Sequence, residues 1–191
     1  MRVIAGKYRS RALRSLPGMD LRPTADRLRE TLFDVLCAGN PSAIEGSTWL
    51  DLFAGTGAVG IEAISRGAGK VYFVEASQRA TELIAANLAS LQIGSEAHVV
   101  KEEVSRALRR FEAQQVVSDF IFLDPPYQMH ACYAETLARL AESPLLAPAG
   151  LVIAEHVKKF DPGEGAGELR RFRKLQQGDA ALSFYRRKPA G

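Results

Sequence analysis

The sequence predicts an α/β fold, and three observations predict it. From about residue 47 onward, short apolar runs rich in Val, Ile and Phe alternate with segments of helical period. The first run opens directly into a glycine-rich turn, and the last two runs follow one another with no helix between them. Together these describe a mostly parallel sheet, covered by helices on both faces and closed by an antiparallel pair.

The elements follow in order. Before residue 40, "MRVIAGKYRSRAL" suits a small hairpin, and "TADRLRETLFDVLC" a helix that turns Leu28, Leu32, Phe33, Val35 and Leu36 toward a core. The strand candidates are "TWLDLF" (48–53), "KVYFVE" (70–75), "AHVVK" (97–101), "DFIFLD" (119–124) and "GLVIAEH" (150–156). Among the intervening helices, "SQRATELIAANLASLQIG" has Ser77 as N-cap, Leu83, Ile84, Leu88 and Leu91 on one stripe, and Gly94 as the stop. "ELRRFRKLQQ" and "ALSFYRRK" form the closing pair. The expected organisation is a basic extension over residues 1–40 and a larger domain over 41–191, with no internal repeat or low-complexity segment.

Composition narrows the class. The chain has 191 residues, 47% hydrophobic and 25% charged, which suits a globular fold with a sizeable core. No apolar run approaches the roughly 20 residues of a membrane span, and "MRVIAGKYRS" lacks the apolar stretch of a signal peptide, so a cytoplasmic location is expected. Cys37 and Cys132, with no CxxC or Cys/His cluster, read as reduced thiols, and no metal site is expected. The net charge is only +3, but it is unevenly placed. Residues 1–31 hold eight Lys/Arg against three Asp/Glu, and residues 168–188 hold seven against two, leaving the middle net acidic. An arm carrying Arg2, Lys7, Arg9, Arg11, Arg14 and Arg22 is what tracking a phosphate backbone requires.

The turn after the first strand reads "AGTGAVGIEA", in which Gly55, Gly57 and Gly60 match G-x-G-x-x-G. Glycines placed between strand and helix let the backbone turn sharply and approach a cofactor, while the helix offers its free N–H groups. Glu75 ends the second strand, roughly 20 residues downstream, where a ribose-binding acid belongs. Either NAD or S-adenosylmethionine would use this pair.

The fourth strand separates the two. "FLDPPYQ" (122–128) delivers Asp124 at the end of a buried run, then two prolines that stiffen the chain and remove two N–H donors, then Tyr127. The Asp124 carboxylate and the Pro125 carbonyl can act as acceptors around one planar amino group. The exocyclic amine of a nucleobase is a poor nucleophile because its lone pair is delocalised. Two acceptors that orient its N–H bonds favour a more tetrahedral nitrogen, with the lone pair aimed at a methyl sulfonium. Tyr127 is placed to stack on the base.

Here the chain resembles a known family. "DPPY" is a form of the [DNS]-P-P-[YFW] motif of amino-group methyltransferases, and "DLFAGTGAVGIEAISRGA" is similar to the cofactor loop of the bacterial RsmD-type 16S rRNA guanine-N2 methyltransferases. "AGKYRSRAL" and "LRPTADRLRETLFDVL" resemble that family's basic hairpin and its R-P-T-x-D-R-[VL]-R-E-[ST]-L-F signature. The resemblance spans about residues 2–187. It implies a class I methyltransferase (Rossmann-like) fold of seven strands, ordered 3-2-1-4-5-7-6, with the seventh antiparallel. It assigns Asp51, Phe53, Gly55 and Gly57 to the S-adenosylmethionine loop, Glu75 to the ribose hydroxyls, and Asp124, Pro125, Pro126 and Tyr127 to the target base. Lys7, Arg9, Arg11, Arg14 and Arg22 fall in the RNA-binding portion, and Arg22, Thr24, Asp26, Arg27 and Glu30 match the signature. One departure is Glu103, which stands where many class I enzymes carry Asp or Asn facing the adenine amino group.

The implied partner is 16S rRNA or an assembling 30S subunit, met by a monomer. An NAD oxidoreductase would leave "DPPY" without a role. The remaining alternatives are an adenine-N6 type enzyme acting on another RNA or DNA, and a non-catalytic RNA-binding assembly protein. His98, His130 and His156 are isolated and read as structural or surface groups, and Arg27 or Arg29 as a solvated helix residue.

Overall fold

A computed structural model describes residues 1–15, 23–126 and 128–188, with the backbone alone at 23–25. After α1 (Pro23–Cys37) the chain alternates: β1 (Thr48–Leu52), α2 (Ala58–Ser65), β2 (Lys70–Glu75), α3 (Gln78–Ser90), β3 (Ala97–Lys101), α4 (Val104–Ala113), β4 (Ser118–Leu123), α5 (His130–Glu142) and β5 (Leu146–Val157). It ends in β6 (Gly165–Ala166), β7 (Leu169–Gln177) and β8 (Ala180–Arg187). The sheet order is β3-β2-β1-β4-β5-β8-β7-β6. With β7 and β8 as the expected sixth and seventh strands, this is the predicted order plus one short edge strand. The first five strands run parallel, and β8 is antiparallel to both β5 and β7. The extra strand β6 rests on Gly165, at φ 140°, where a Cβ would stand 2.1 Å from the Leu169 carbonyl oxygen.

The strand order runs outward in opposite directions from β1 and β4, which leaves a crevice at their C-terminal ends, where α/β sheets bind ligands. One face of the sheet packs Trp49, Phe73, Phe120, Phe122 and Ile153 against α1, α2 and α3, and Val3, Tyr8 and Leu13 of the N-terminal segment join that cluster. The other face packs Leu50, Leu52, Val74, Ile121 and Leu123 under α4 and α5. Apolar residues on both faces explain why these strands read as continuous apolar runs.

The N-terminal segment is a short hairpin: Arg2 bridges Ala12, and Val3 N–H donates to the Arg11 carbonyl at 3.0 Å. On α1, Leu28, Leu32, Phe33 and Leu36 are buried and Val35 is half-buried. Ser77 caps α3, accepting from Ala80 N–H at 3.3 Å. The helix stops earlier than Gly94. Gln92 takes the left-handed conformation at φ 56°. Its N–H reaches the Ala89 carbonyl and Ile93 N–H the Leu88 carbonyl, each at 3.0 Å, in the two-bond closure that glycine usually makes. Ile93 packing against the core offsets the backbone cost.

Candidate cofactor and base site

The loop after β1 is built for close approach. Phe53 sits at φ 63°, a strained setting for a bulky residue, followed by Gly55 at 54° and Gly57 at 76°. A Cβ on Gly55 would meet nothing nearer than the Phe53 carbonyl oxygen at 3.9 Å, so this glycine faces open space that a ligand can fill. Gly57 and Gly60 serve packing: a Cβ on Gly60 would lie 2.3 Å from the Phe73 ring. Gly57 caps α2 with no side-chain acceptor, leaving that helix end open.

Glu75 closes the loop from the side. Its carboxylate accepts from Gly55 N–H at 3.0 Å and from Ser77 N–H at 2.8 Å. A carboxylate has about four acceptor positions, so two remain for a pair of hydroxyls. Asp51 lies beneath the loop, buried, and accepts from Gly60 N–H at 2.9 Å. Burial pushes its pKa up to about 8, opposed by the Gly60 bond and reinforced by Asp124 and Glu75.

Asp124 follows β4 directly, its N–H pointing to the Leu52 carbonyl at 3.4 Å. Burial raises its pKa to about 7. The two prolines differ in use. The Pro126 carbonyl is taken by Met129 N–H at 2.8 Å, whereas no backbone N–H among the described residues occupies the Pro125 carbonyl. Asp124 and Pro125 thus offer two acceptors, adjacent in the chain, that have no hydrogen-bond partner among the described residues. Tyr127 lies outside the described residues.

Strand parity gathers more acid than the sequence indicated. Asp51 pairs in register with Phe73 and Phe122, and Leu123 with Ala154. Side chains alternate along strands. Glu75, Asp51, Asp124 and Glu155 therefore share one face at the C-terminal ends of β2, β1, β4 and β5, which are consecutive in the sheet. Glu155 was not anticipated. The sequence offers only an acid late in the run "LVIAEH", with β5 continuing past it to Val157, and its placement beside Asp124 follows from the register between strands. Its pKa is pushed well above the carboxylate range by burial, then by Asp124, with Arg29 opposing.

Glu103 is exposed at the N-cap of α4, and its side chain makes no capping bond. It is free to reach a ligand over β3. Its neighbour Glu102 pairs with Arg110 at 3.3 Å.

The N-terminal hairpin is fastened to the cofactor half through Glu62, a fully buried carboxylate on α2 that the sequence reading also missed. It accepts from Ile4 N–H at 2.7 Å, Ala5 N–H at 3.0 Å and Arg66 Nε at 2.8 Å, with Arg29 Nε at 3.8 Å. Of the two arginines expected to include a solvated helix residue, Arg29 is the buried one, and its guanidinium donates to the Arg2 carbonyl at 2.5 Å and to Asp26 at 3.1 Å. Arg27 is exposed. Asn87 of α3 is a second fastening, donating to the Thr56 carbonyl in the glycine loop at 3.1 Å and accepting from Arg14 N–H at 2.8 Å.

The side chains of Lys7, Arg9, Arg11 and Arg14 are all exposed along this hairpin, and Arg22 lies outside the described residues. Arg2, Arg9 and Arg27 border a groove between the hairpin and α1, with Asp26 and Glu30. His156 is buried between the Val157 carbonyl and Ser183 Oγ, each at 3.0 Å, and His130 lies against the Phe160 ring.

The family model described as Conserved hypothetical protein 95 matches residues 1–186. The chain is 37% identical over 158 residues to Ribosomal RNA small subunit methyltransferase D of Haemophilus influenzae, covering 83% of this chain and 79% of that protein. A solved structure of a hypothetical protein of Thermus thermophilus superposes with a TM-score of 0.81 at 31% identity, covering 96% of this chain and 98% of that one. The 16S rRNA N2 G1207 methyltransferase (RsmC) of the same species, solved with AdoMet and guanosine, shares the fold with a TM-score of 0.69 at 20% identity, over 91% of this chain and 45% of that one. The match over nearly the whole chain and the glycine loop, Glu75 and Asp124 gathered on one sheet edge agree: the chain belongs to the Conserved hypothetical protein 95 family, the RsmD-type methyltransferases.

Proposed function

We propose that the protein transfers a methyl group from S-adenosylmethionine to the N2 amino group of a guanine in 16S rRNA. The observation that carries this reading is the placement of Asp124 and the Pro125 carbonyl, unpaired among the described residues, at the end of β4, beside the Gly55 to Gly57 loop after β1. Asp51, Phe53, Gly55 and Gly57 would hold the cofactor, Glu75 its ribose hydroxyls and Glu103 its adenine edge. When bound, the cofactor supplies a methyl group on a sulfonium, already a strong electrophile.

The chain's own task is then alignment. The Asp124 carboxylate and Pro125 carbonyl accept the two N–H bonds of the amine, and Pro126, fixed by its bond to Met129, keeps that geometry rigid. As the amine gains a methyl group it must lose a proton. An Asp124 carboxylate raised to about 7 is matched to take it near neutral pH. Tyr127 is assigned to stacking on the base.

Residues 1–40 act in this reading as the RNA-gripping extension of the catalytic domain over 41–191. The substrate is naked or partly assembled small-subunit RNA, met in the cytoplasm by a monomer. Among the described residues no helix is long and apolar enough to cross a membrane. Mass spectrometry of 16S rRNA from a deletion strain should show one guanine lacking its N2 methyl group, and the purified protein should restore it in vitro. Restoration of no methyl group on that RNA would remove this reading.

A further inference from the structure

Asp124, directly after β4, and Glu155, inside β5 two residues before Val157, stand one step beyond the Leu123 to Ala154 register pair of these adjacent parallel strands, so their side chains fall on the same face. Glu155 is held from several directions. Its carbonyl accepts from Tyr133 Oη at 2.6 Å, and its strand is paired on the other side with β8 at Leu182. Its carboxylate, by contrast, has no hydrogen-bond or ion-pair partner among the described residues. A half-buried acceptor left free on a well-anchored backbone, next to the group that orients the amine, is placed for the atom adjacent to that amine.

The three amine-bearing bases differ at that atom. In guanine, the N2 amine is flanked by N3, a bare acceptor, and on its other side by N1, which carries a hydrogen and donates. In adenine and cytosine, the ring nitrogen beside the amine is a bare acceptor. We infer that Glu155 reads the guanine N1–H, making it a specificity-determining residue that selects guanine over the other amine-bearing bases. This rests on the proposed guanine-N2 reading and goes beyond it by naming the group that enforces it.

The charge balance around Glu155 sets a further condition. A protonated carboxyl can donate to a bare ring nitrogen, so selectivity for guanine needs the ionised form. The groups that act on it are Asp124 from β4 and Asp51 from β1, which oppose ionisation, and the Arg29 guanidinium from α1, which favours it. Preference for guanine should therefore strengthen as pH rises.

The test compares small-subunit RNA carrying guanine, or 2-aminopurine, at the one nucleotide the wild-type protein methylates. 2-Aminopurine keeps the amine but lacks N1–H. Sites built to bond a substrate N–H reject analogues lacking it strongly, so at the alkaline end of the profile, where Glu155 is ionised, wild-type kcat/KM should favour guanine by about 10²-fold or more, and by less as pH falls. In Glu155→Ala the ratio should shrink to within about tenfold, with S-adenosylmethionine affinity unchanged. Glu155→Gln, which keeps the shape, should lose the pH dependence of the ratio, and it carries the test alone should the alanine variant fail to fold. An unchanged ratio in Glu155→Ala, or an unchanged pH dependence in Glu155→Gln, overturns the inference. If the wild-type protein methylates no guanine N2 at all, the proposed function has failed instead, and the two outcomes are distinct.

Discussion

The Gly55 amide donates to Glu75 Oε2 at 3.0 Å, joining the loop after β1 to the acid that ends β2 before any ligand arrives. Ser77 N–H, at 2.8 Å from the other oxygen, fixes the carboxylate in its plane. The acid is therefore presented in one orientation, and little ordering is left to be done on binding.

Replacing Glu75 should weaken cofactor binding. Glu75→Ala removes the acceptors for two hydroxyls and also frees the Gly55 amide, so a loss of about 1 to 3 kcal/mol is expected. Calorimetric titration with S-adenosylmethionine checks it, and affinity equal to wild type would dismiss Glu75 as the ribose ligand.

Asp124→Ala should slow single-turnover methyl transfer by about 10²- to 10³-fold while cofactor affinity stays close to wild type. The pH dependence has a definite sign. Asp124 accepts an N–H bond and a proton only when ionised, and burial places its pKa at about 7. The wild-type kcat/KM should thus fall as pH drops below 7, about tenfold per unit. Stability runs the other way. A carboxylate whose folded pKa is raised contributes stability that is present below its unfolded value near 4 and is lost as pH rises through about 7. Asp124→Asn should accordingly gain stability over wild type from pH 5 to 8 while losing activity. A flat rate profile across pH 6 to 8 would contradict the assignment.

Glu62 should be structurally indispensable. Removing it leaves the Ile4 and Ala5 amides without an acceptor and strips Arg29 of one of its two nearby carboxylates in a buried setting. Breaking a buried charge network by one partner costs about 3 to 5 kcal/mol. At about 2 to 4 °C per kcal/mol for a chain of this size, Glu62→Ala should melt roughly 6 to 20 °C lower. A change of under 2 °C in a thermal melt would mean that the hairpin is held by its apolar residues alone.

What the sequence made legible, and what it hid, divides along physical lines. The strands were legible because burial on both faces writes itself as unbroken apolar runs, and the closing pair because no helical period separates it. Asp124 and Glu75 were legible because each follows such a run. Glu155 and Glu62 were not, because a carboxylate's neighbours depend on the register between strands and on packing between elements far apart in sequence. Arg29 carried a local signal: it lies four residues before Phe33, on the apolar side of α1, whereas Arg27 does not share that stripe. Gly94 misled because Gln92 accepted a conformation that glycine usually takes.

The last prediction concerns the basic ends, which are not equivalent once folded. At the C-terminal end, Arg171 and Lys174 pair with Asp161, Arg171 also pairs with Glu164, and Arg187 donates to the Ala141 and Ser143 carbonyls. Much of that charge is already engaged. On the hairpin, Arg9 and Arg14 are exposed with no side-chain bond among the described residues, while Arg11 donates to the Ser90 carbonyl at 3.3 Å and can leave it for a phosphate at little cost. The hairpin is therefore the stronger candidate for RNA. Replacing Arg9, Arg11 and Arg14 together with alanine should weaken RNA binding whatever the sequence, and reduce the slope of log affinity against log salt by about two to three units. Cofactor binding should be spared, because Arg14 is tied to Asn87, and through it to the glycine loop, by its backbone rather than its side chain. Filter binding across a range of salt concentrations, with cofactor titration in parallel, measures both. Normal RNA affinity with an unchanged salt slope would assign the grip to another surface, whereas a joint loss of RNA and cofactor binding would show that the substitutions had loosened the hairpin itself.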